Sequence, residues 1–238
     1  METQSQGERI PVHETLVVGL LLSIVGGYLE AYTFLLRGEV FCNAQTGNFA
    51  LMILSLAQGD FRHAMYYPIP IGAFFVGILF TAAMGDHLKG RRYVKWEHIL
   101  IIIESILLFC AGFVPLGPLD GIANVTISFV CSMQFNTFRQ TKGLPYATTF
   151  CTGNLRLAAE SVYKWKKEKT KAAARRCLRY GSILLAFCTG VFLGALLARP
   201  LGPRAIWICS GLLLLVLGIL LYGTMGKPKG GEDKPCQP

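Results

Sequence analysis

Apolar positions along the chain gather into six long runs, Leu16 to Leu36, Tyr66 to Met84, Ile99 to Pro115, Asp120 to Phe138, Tyr180 to Ala198 and Ala205 to Thr224, separated by polar or basic stretches. Runs of this length approach the roughly 20 residues a helix needs to cross a hydrocarbon core. They are too long and too evenly apolar for barrel strands, which alternate. A helix also satisfies its own backbone hydrogen bonds in lipid. The pattern predicts an all-α, polytopic helical membrane protein with six spans.

Two shorter elements interrupt that pattern. In Phe41 to Gln58, FCNAQTGNFALMILSLAQ, a polar patch of Asn43, Gln45, Thr46, Gly47 and Asn48 runs straight into apolar residues. Thr46-Gly47-Asn48 returns as Thr152-Gly153-Asn154, ahead of LRLAAESVYKW. Asn or Thr before an apolar run reads as a helix N-cap, and Gly allows a tight bend. Phe49 to Ala57 rises only about 14 Å as a helix, against a hydrocarbon core of roughly 30 Å. Such an element reaches mid-membrane and stops.

Charge orients the spans. Lys89, Arg91, Arg92 and Lys95 mark the loop after the second span as cytoplasmic, and Lys164, Lys166, Lys167, Lys169, Lys171, Arg175, Arg176 and Arg179 mark the loop before the fifth. Two full spans and one short element separate these loops. If the second short element crossed the membrane, the more basic loop would lie outside; if it entered and left on one face, both loops would be cytoplasmic. The positive-inside rule favours re-entry. The same reasoning puts the N-terminus (1–13) and the tail (226–238, with Lys227, Lys229 and Lys234, expected to be disordered) in the cytoplasm. Residues 14–116 and 117–225 then form two repeats of three spans, inverted relative to each other, each with one re-entrant half-helix. Glu30-Ala-Tyr-Thr-Phe34 resembles Gln134-Phe-Asn-Thr-Phe138, and Ala73-Phe-Phe-Val-Gly77 resembles Ala186-Phe-Cys-Thr-Gly190, in corresponding spans. Lys164 to Arg179 reads as a basic helix along the cytoplasmic surface.

Composition narrows the function. The 238 residues are 53% hydrophobic and 16% charged, with a mean hydropathy of +0.46, outside the range of a soluble domain. The net charge of +9 sits in loops between spans, so it is read as membrane orientation and not as a nucleic-acid interface. The eight cysteines show no CxxC or Cys/His pairing, so neither a metal site nor any other cofactor is expected. Walker, HExxH, GxSxG and dinucleotide motifs are absent, so an enzyme is not expected either.

Inverted repeats with broken helices place binding sites near the midplane, where half-helix N-termini offer unsatisfied N–H groups and positive dipole ends. The candidate solute path therefore comprises Asn43, Gln45, Thr46, Gly47 and Asn48 with Thr149, Thr152, Gly153 and Asn154. Glu30 and Glu104 join it because a carboxylate within a span is costly and faces the bundle interior. Gln134 and Asn136, opposite Glu30 in the repeat, complete the set. The competing reading of each is a helix cap or a fixed interhelical hydrogen bond. Arg156 and Glu160 read as a surface i, i+4 pair. Gly26-Gly27, Gly72/Gly77 and Gly190/Gly194 read as close helix-packing positions.

The segments Gly26-Gly-Tyr-Leu-Glu-Ala-Tyr-Thr-Phe34, Val40-Phe-Cys-Asn-Ala-Gln-Thr-Gly-Asn48 and Leu56-Ala-Gln-Gly-Asp60 resemble the signature of the YoaK-like bacterial membrane proteins, a family of unknown function. The resemblance runs from about residue 14 to 224 and is most specific at Asn43–Asn48. Members usually carry Asp where this chain has Glu30, which keeps the charge and lengthens its reach. The resemblance implies a multi-span protein of the bacterial inner membrane and names no substrate. The chain is accordingly expected to be a transporter or channel for a small solute, seated in the lipid bilayer and compatible with a homodimer. The alternative is a membrane scaffold or sensor whose basic segment binds lipid or a cytosolic partner.

Overall fold

Each of the six apolar runs is helical in the computed structural model, which describes residues 11–88, 95–141, 144–145 and 151–225. The helices are α1 (Leu16–Leu36), α2 (Gln45–Ala57), α3 (Phe61–Ala64), α4 (Pro68–Leu88), α5 (Trp96–Ala111), α6 (Asp120–Thr137), α7 (Cys151–Glu168), α8 (Lys171–Leu201) and α9 (Trp207–Met225). A two-residue ladder, β1 (Gln140–Thr141) with β2 (Leu144–Pro145), follows α6. Lys89, Arg91, Arg92, Thr149, residues 1–10 and the tail 226–238 lie outside the described residues.

The basic segment differs from expectation. It is divided between the end of α7 and the first turns of α8, because Lys169 takes a left-handed φ of 49° and the Thr170 side chain caps α8 by accepting from the Ala173 N–H. A single surface helix over Lys164 to Arg179 is therefore not formed.

Glycine decides which helices touch. A Cβ at Gly190 would strike the Ile24 carbonyl and one at Gly27 the Phe187 carbonyl, so α1 and α8 meet backbone to backbone. A Cβ at Gly77 would lie 2.8 Å from the Phe129 carbonyl, which joins α4 to α6 in the same way. Gly72 meets nothing within 4 Å, so its expected packing role is not observed.

These contacts also fix direction. Gly190 with Ile24 and Gly194 with Tyr28 advance together, so α1 and α8 run parallel, as do α4 and α6 through Gly77–Phe129 and Thr81–Asn136. Trp207 Nε1 donates to the Phe109 carbonyl at one end of α5–α9 and His98 meets Leu220 at the other, so that pair is antiparallel. Trp96 Nε1 donates to Thr137 Oγ1 at 3.3 Å, and Tyr28 and Tyr32 hydroxyls donate to the carbonyls of Ala205 and Pro203. These make α5–α6 and α1–α9 antiparallel as well. Helices α1, α5 and α8 thus run one way and α4, α6 and α9 the other.

Among the described residues, three helical stretches are long and apolar enough to cross a membrane: Leu16–Leu36, Phe61–His87 and Lys171–Gly223, the last covering α8 and α9. Helix α5, at 16 residues, rises about 24 Å, short of the usual requirement. The outer faces are apolar: Phe75, Val76 and Leu79 on α4 and Leu185, Phe192 and Leu196 on α8 are exposed.

Candidate functional site

Helix α1 ends at Leu36, and Gly38 and Glu39, at φ 82° and 58°, turn the chain back on itself. The return brings Cys42–Ala44 alongside Glu30, inside the bundle. Glu30 Oε2 accepts from the Asn43 N–H at 2.8 Å and the Cys42 thiol at 3.3 Å, and Oε1 accepts from the Ala44 N–H at 3.1 Å. A carboxylate of α1 therefore serves the positive N-terminus of α2, whose first N–H groups have no intrahelical acceptor. No side chain of Thr46 or Asn48 caps the helix. Thr46-Gly47-Asn48 lies within its first turn, which corrects the N-cap reading.

Inside that turn each residue has a distinct task. Asn48, fully buried, accepts from the Phe41 N–H at 3.0 Å and donates to the Phe41 carbonyl at 2.6 Å and to Gln45 Oε1 at 2.8 Å. Gln45 Nε2 donates to the Cys42 carbonyl. Gly47 leaves room for the Phe41 ring, which would lie 2.8 Å from a Cβ there. Thr46 is exposed. Asn48→Ala should cost about 1–3 kcal/mol, because both backbone groups of Phe41 lose their partner. Thermal unfolding in detergent measures this, and an unchanged midpoint would show that the 41–48 loop is held by other contacts.

The second copy sits at the start of α7. Thr152 and Gly153 are exposed, Asn154 is buried, and a Cβ at Gly153 would touch nothing, so the two glycines are not used alike. The likeness extends further than Thr-Gly-Asn: α2 buries only Asn48 and Ser55, and α7 only Asn154 and Ser161, at the same spacing. The serines were legible in the sequence as a repeated Ser at the same distance from Asn. Cys151, the first residue of α7, lies within electrostatic reach of Glu30.

Glu104 on α5 is fully buried, and neither carboxylate oxygen has a hydrogen-bond partner. Asn43 donates through Nδ2 to the Gly26 carbonyl, but its Oδ1 is also buried and unpartnered. Cys131 on α6 and Cys42 belong to one buried core cluster. Gln134 and Asn136 have other partners. Gln134 Nε2 donates to the Leu22 carbonyl at 3.0 Å, and Asn136 Nδ2 to Thr81 Oγ1 at 2.8 Å, each tying two helices together. Arg156 and Glu160 form an exposed 2.9 Å pair. Among the described residues no group of three or more His, Cys, Asp or Glu is placed to hold a metal ion.

One feature escaped the sequence reading. Arg37, at the end of α1, is fully buried and forms a 2.7 Å ion pair with Asp120 at the start of α6. It also donates to the Val114 and Pro115 carbonyls and, twice, to the Tyr32 hydroxyl. Asn124 donates to the Arg37 carbonyl and the Tyr66 hydroxyl, so its amide is committed to packing. Above the clamp opens a cavity of about 420 Å³ lined by Asp60, Arg62, His63, Tyr66 and Asp120. A lone charge closing an apolar run resembles an ordinary interfacial residue, so nothing local announces the clamp.

The model of a protein family described as "Protein of unknown function (DUF1275)" matches residues 18–219. No curated protein and no solved structure matches the chain.

Proposed function

Since the chain belongs to the DUF1275 family, whose description names no activity, we propose from the geometry that it moves a small polar solute across the membrane. The path runs between two inverted three-span repeats, α1–α5 and α6–α9. The observation that carries this reading is that Glu30, buried between helices, holds the N-terminus of the short helix α2. Broken helices whose ends lie between repeats are the arrangement that transporters use to bind substrate at mid-membrane depth.

Two further observations support it. Exchanging α1 with α6, α4 with α8 and α5 with α9 turns the α1–α8 pair into α6–α4 and the α5–α6 pair into α9–α1, all of which are packed pairs. Gly77 and Gly190, which correspond in the sequence repeat, both make backbone approaches, one to α6 and the other to α1. The alternation of helix direction fits six crossings with α2 and α7 entering and leaving on one face; were either to span, its flanking helices would run parallel. The exposed Phe49, Ile53 and Leu54 of α2 then face lipid or a second copy. The basic ends of α7 and α8 face the cytoplasm, in a bacterial inner membrane.

Reconstituted protein should carry saturable flux of a small polar solute or ion, reduced at least tenfold in Asn43→Ala with folding retained. In a variant stripped of native cysteines, single cysteines at Thr46 and Thr152 should label with an impermeant thiol reagent from opposite faces. Absence of flux across a broad solute panel, or labelling of both from one face, would remove the support for this reading.

A further inference from the structure

The cavity above the Arg37–Asp120 clamp lies just beyond the end of α1, at the end of the bundle opposite the basic start of α8, which runs parallel to α1. At about 420 Å³ it has the size of a small-molecule site. Some polar groups in its wall are already committed. Asp120 accepts from Arg37 through Oδ1 at 2.7 Å and from the Gly117 N–H through Oδ2 at 3.0 Å, and His63 Nε2 lies 2.8 Å from the Tyr67 hydroxyl. Asp60 and Arg62 differ. Asp60 accepts only from the His63 N–H, through Oδ1, and has no cationic partner among the described residues. Arg62 has neither an ion pair nor a hydrogen bond among them. These two opposite charges line one cavity without pairing with each other. Tyr66, in the same wall, accepts from Asn124 at 3.0 Å and reaches the Arg37 carbonyl only at 3.5 Å, the limit of a hydrogen bond, so its proton remains available.

We propose that this cavity binds a small zwitterion of the amino acid class, its carboxylate held by Arg62 and the Tyr66 hydroxyl and its ammonium by Asp60. The planar guanidinium fork matches a carboxylate with two parallel hydrogen bonds. A ligand with a single charge fits less well: an anion would face the unpaired Asp60, and a cation the unpaired Arg62, and such like-charge juxtapositions disfavour the wrong partner. Asp60, His63 and Asp120 are not placed to share a metal ion. The floor is fixed before any ligand arrives, because the fully buried Arg37 holds Asp120, and Asn124 holds the Tyr66 hydroxyl. The site is separate from Glu30 and Asn43. It therefore goes beyond the transport reading, and binding there requires no flux.

The test is equilibrium dialysis of the purified full chain in detergent against a mixture of the common amino acids and glycine betaine, with acetate and methylammonium as single-charge probes and mass spectrometry of the retained species. At least one zwitterion should be retained saturably, about tenfold or more above acetate and methylammonium. Asp60→Asn keeps an oxygen to accept from the His63 N–H, and Arg62→Gln changes an exposed side chain, so both variants should unfold at the midpoint of the parent protein. Each should weaken retention about tenfold or more, the effect of losing one charged hydrogen-bond partner. Retention of no zwitterion, equal retention of acetate or methylammonium, or undiminished retention in either variant would each overturn the proposal. Protein that retains a zwitterion but moves nothing overturns only the transport reading, and protein that transports while retaining none overturns only this one.

Discussion

Arg37→Met should lower the stability of the folded protein by about 3–5 kcal/mol, a large part of the 5–15 kcal/mol that holds a typical domain together. The side chain is fully buried and spends its guanidinium donors on Asp120, Tyr32 and the carbonyls of Val114 and Pro115. Removing it leaves Asp120 without its counter-charge and two carbonyls without a donor. Arg37→Lys should not rescue the loss, because an ammonium cannot reproduce a planar fork with five donors. Asp120→Asn should cost less, since the aspartate is partly exposed and an amide oxygen still accepts from Arg37. Unfolding midpoints in detergent rank the three. Full stability in the lysine variant would show that charge alone, and not the fork, closes this end of the bundle.

Gly190→Leu and Gly27→Leu should be the most damaging glycine substitutions in the bundle, costing about 3 kcal/mol or more each. At both positions the new side chain meets main-chain carbonyls of the facing helix, which cannot swing aside as a side chain can. The α1–α8 pair would have to separate. Gly77→Leu should behave likewise at the α4–α6 pair, where the Phe129 carbonyl and Ser132 hydroxyl are in the way. Gly72→Ala provides the contrast. Nothing lies within 4 Å of its Cβ, so the change should be neutral or stabilising by up to about 1 kcal/mol through helix propensity. Equal loss at Gly72 and Gly190 would mean that glycine matters here for backbone flexibility and not for close approach.

The candidate path residues divide by how much of their environment is local. Glu30 and Glu104 were legible because an ionisable residue inside an apolar run stands out wherever it points. Their different fates were not. Glu30 turned out to hold the N-terminus of α2, while Glu104 was left with no partner, and the difference depends on a loop thirteen residues beyond Glu30 folding back into the bundle. Thr46-Gly47-Asn48 drew notice as a repeated motif, yet its expected capping role passed to Glu30, because the chain's reversal at Gly38 and Glu39 placed a carboxylate where a cap was needed. Gln134 and Asn136 matched Glu30 and its neighbours in the alignment but serve as ties between helices.

By itself the sequence determined where the helices lie, that basic residues gather between the apolar runs, and that a Thr-Gly-Asn segment recurs. All of these follow from patterns within a few turns of chain: apolar run length, composition and motif. The tertiary structure decided the partners: Arg37 with Asp120, Glu30 with Asn43 and Ala44, Gly27 with the Phe187 carbonyl, and Glu104 with none. Uniformly apolar helices carry little local signal to distinguish their neighbours, since lipid and leucine are equally apolar. Which faces meet is settled by close approach of small residues and by polar atoms that must be satisfied away from water, and both conditions exist only once distant segments have been brought together.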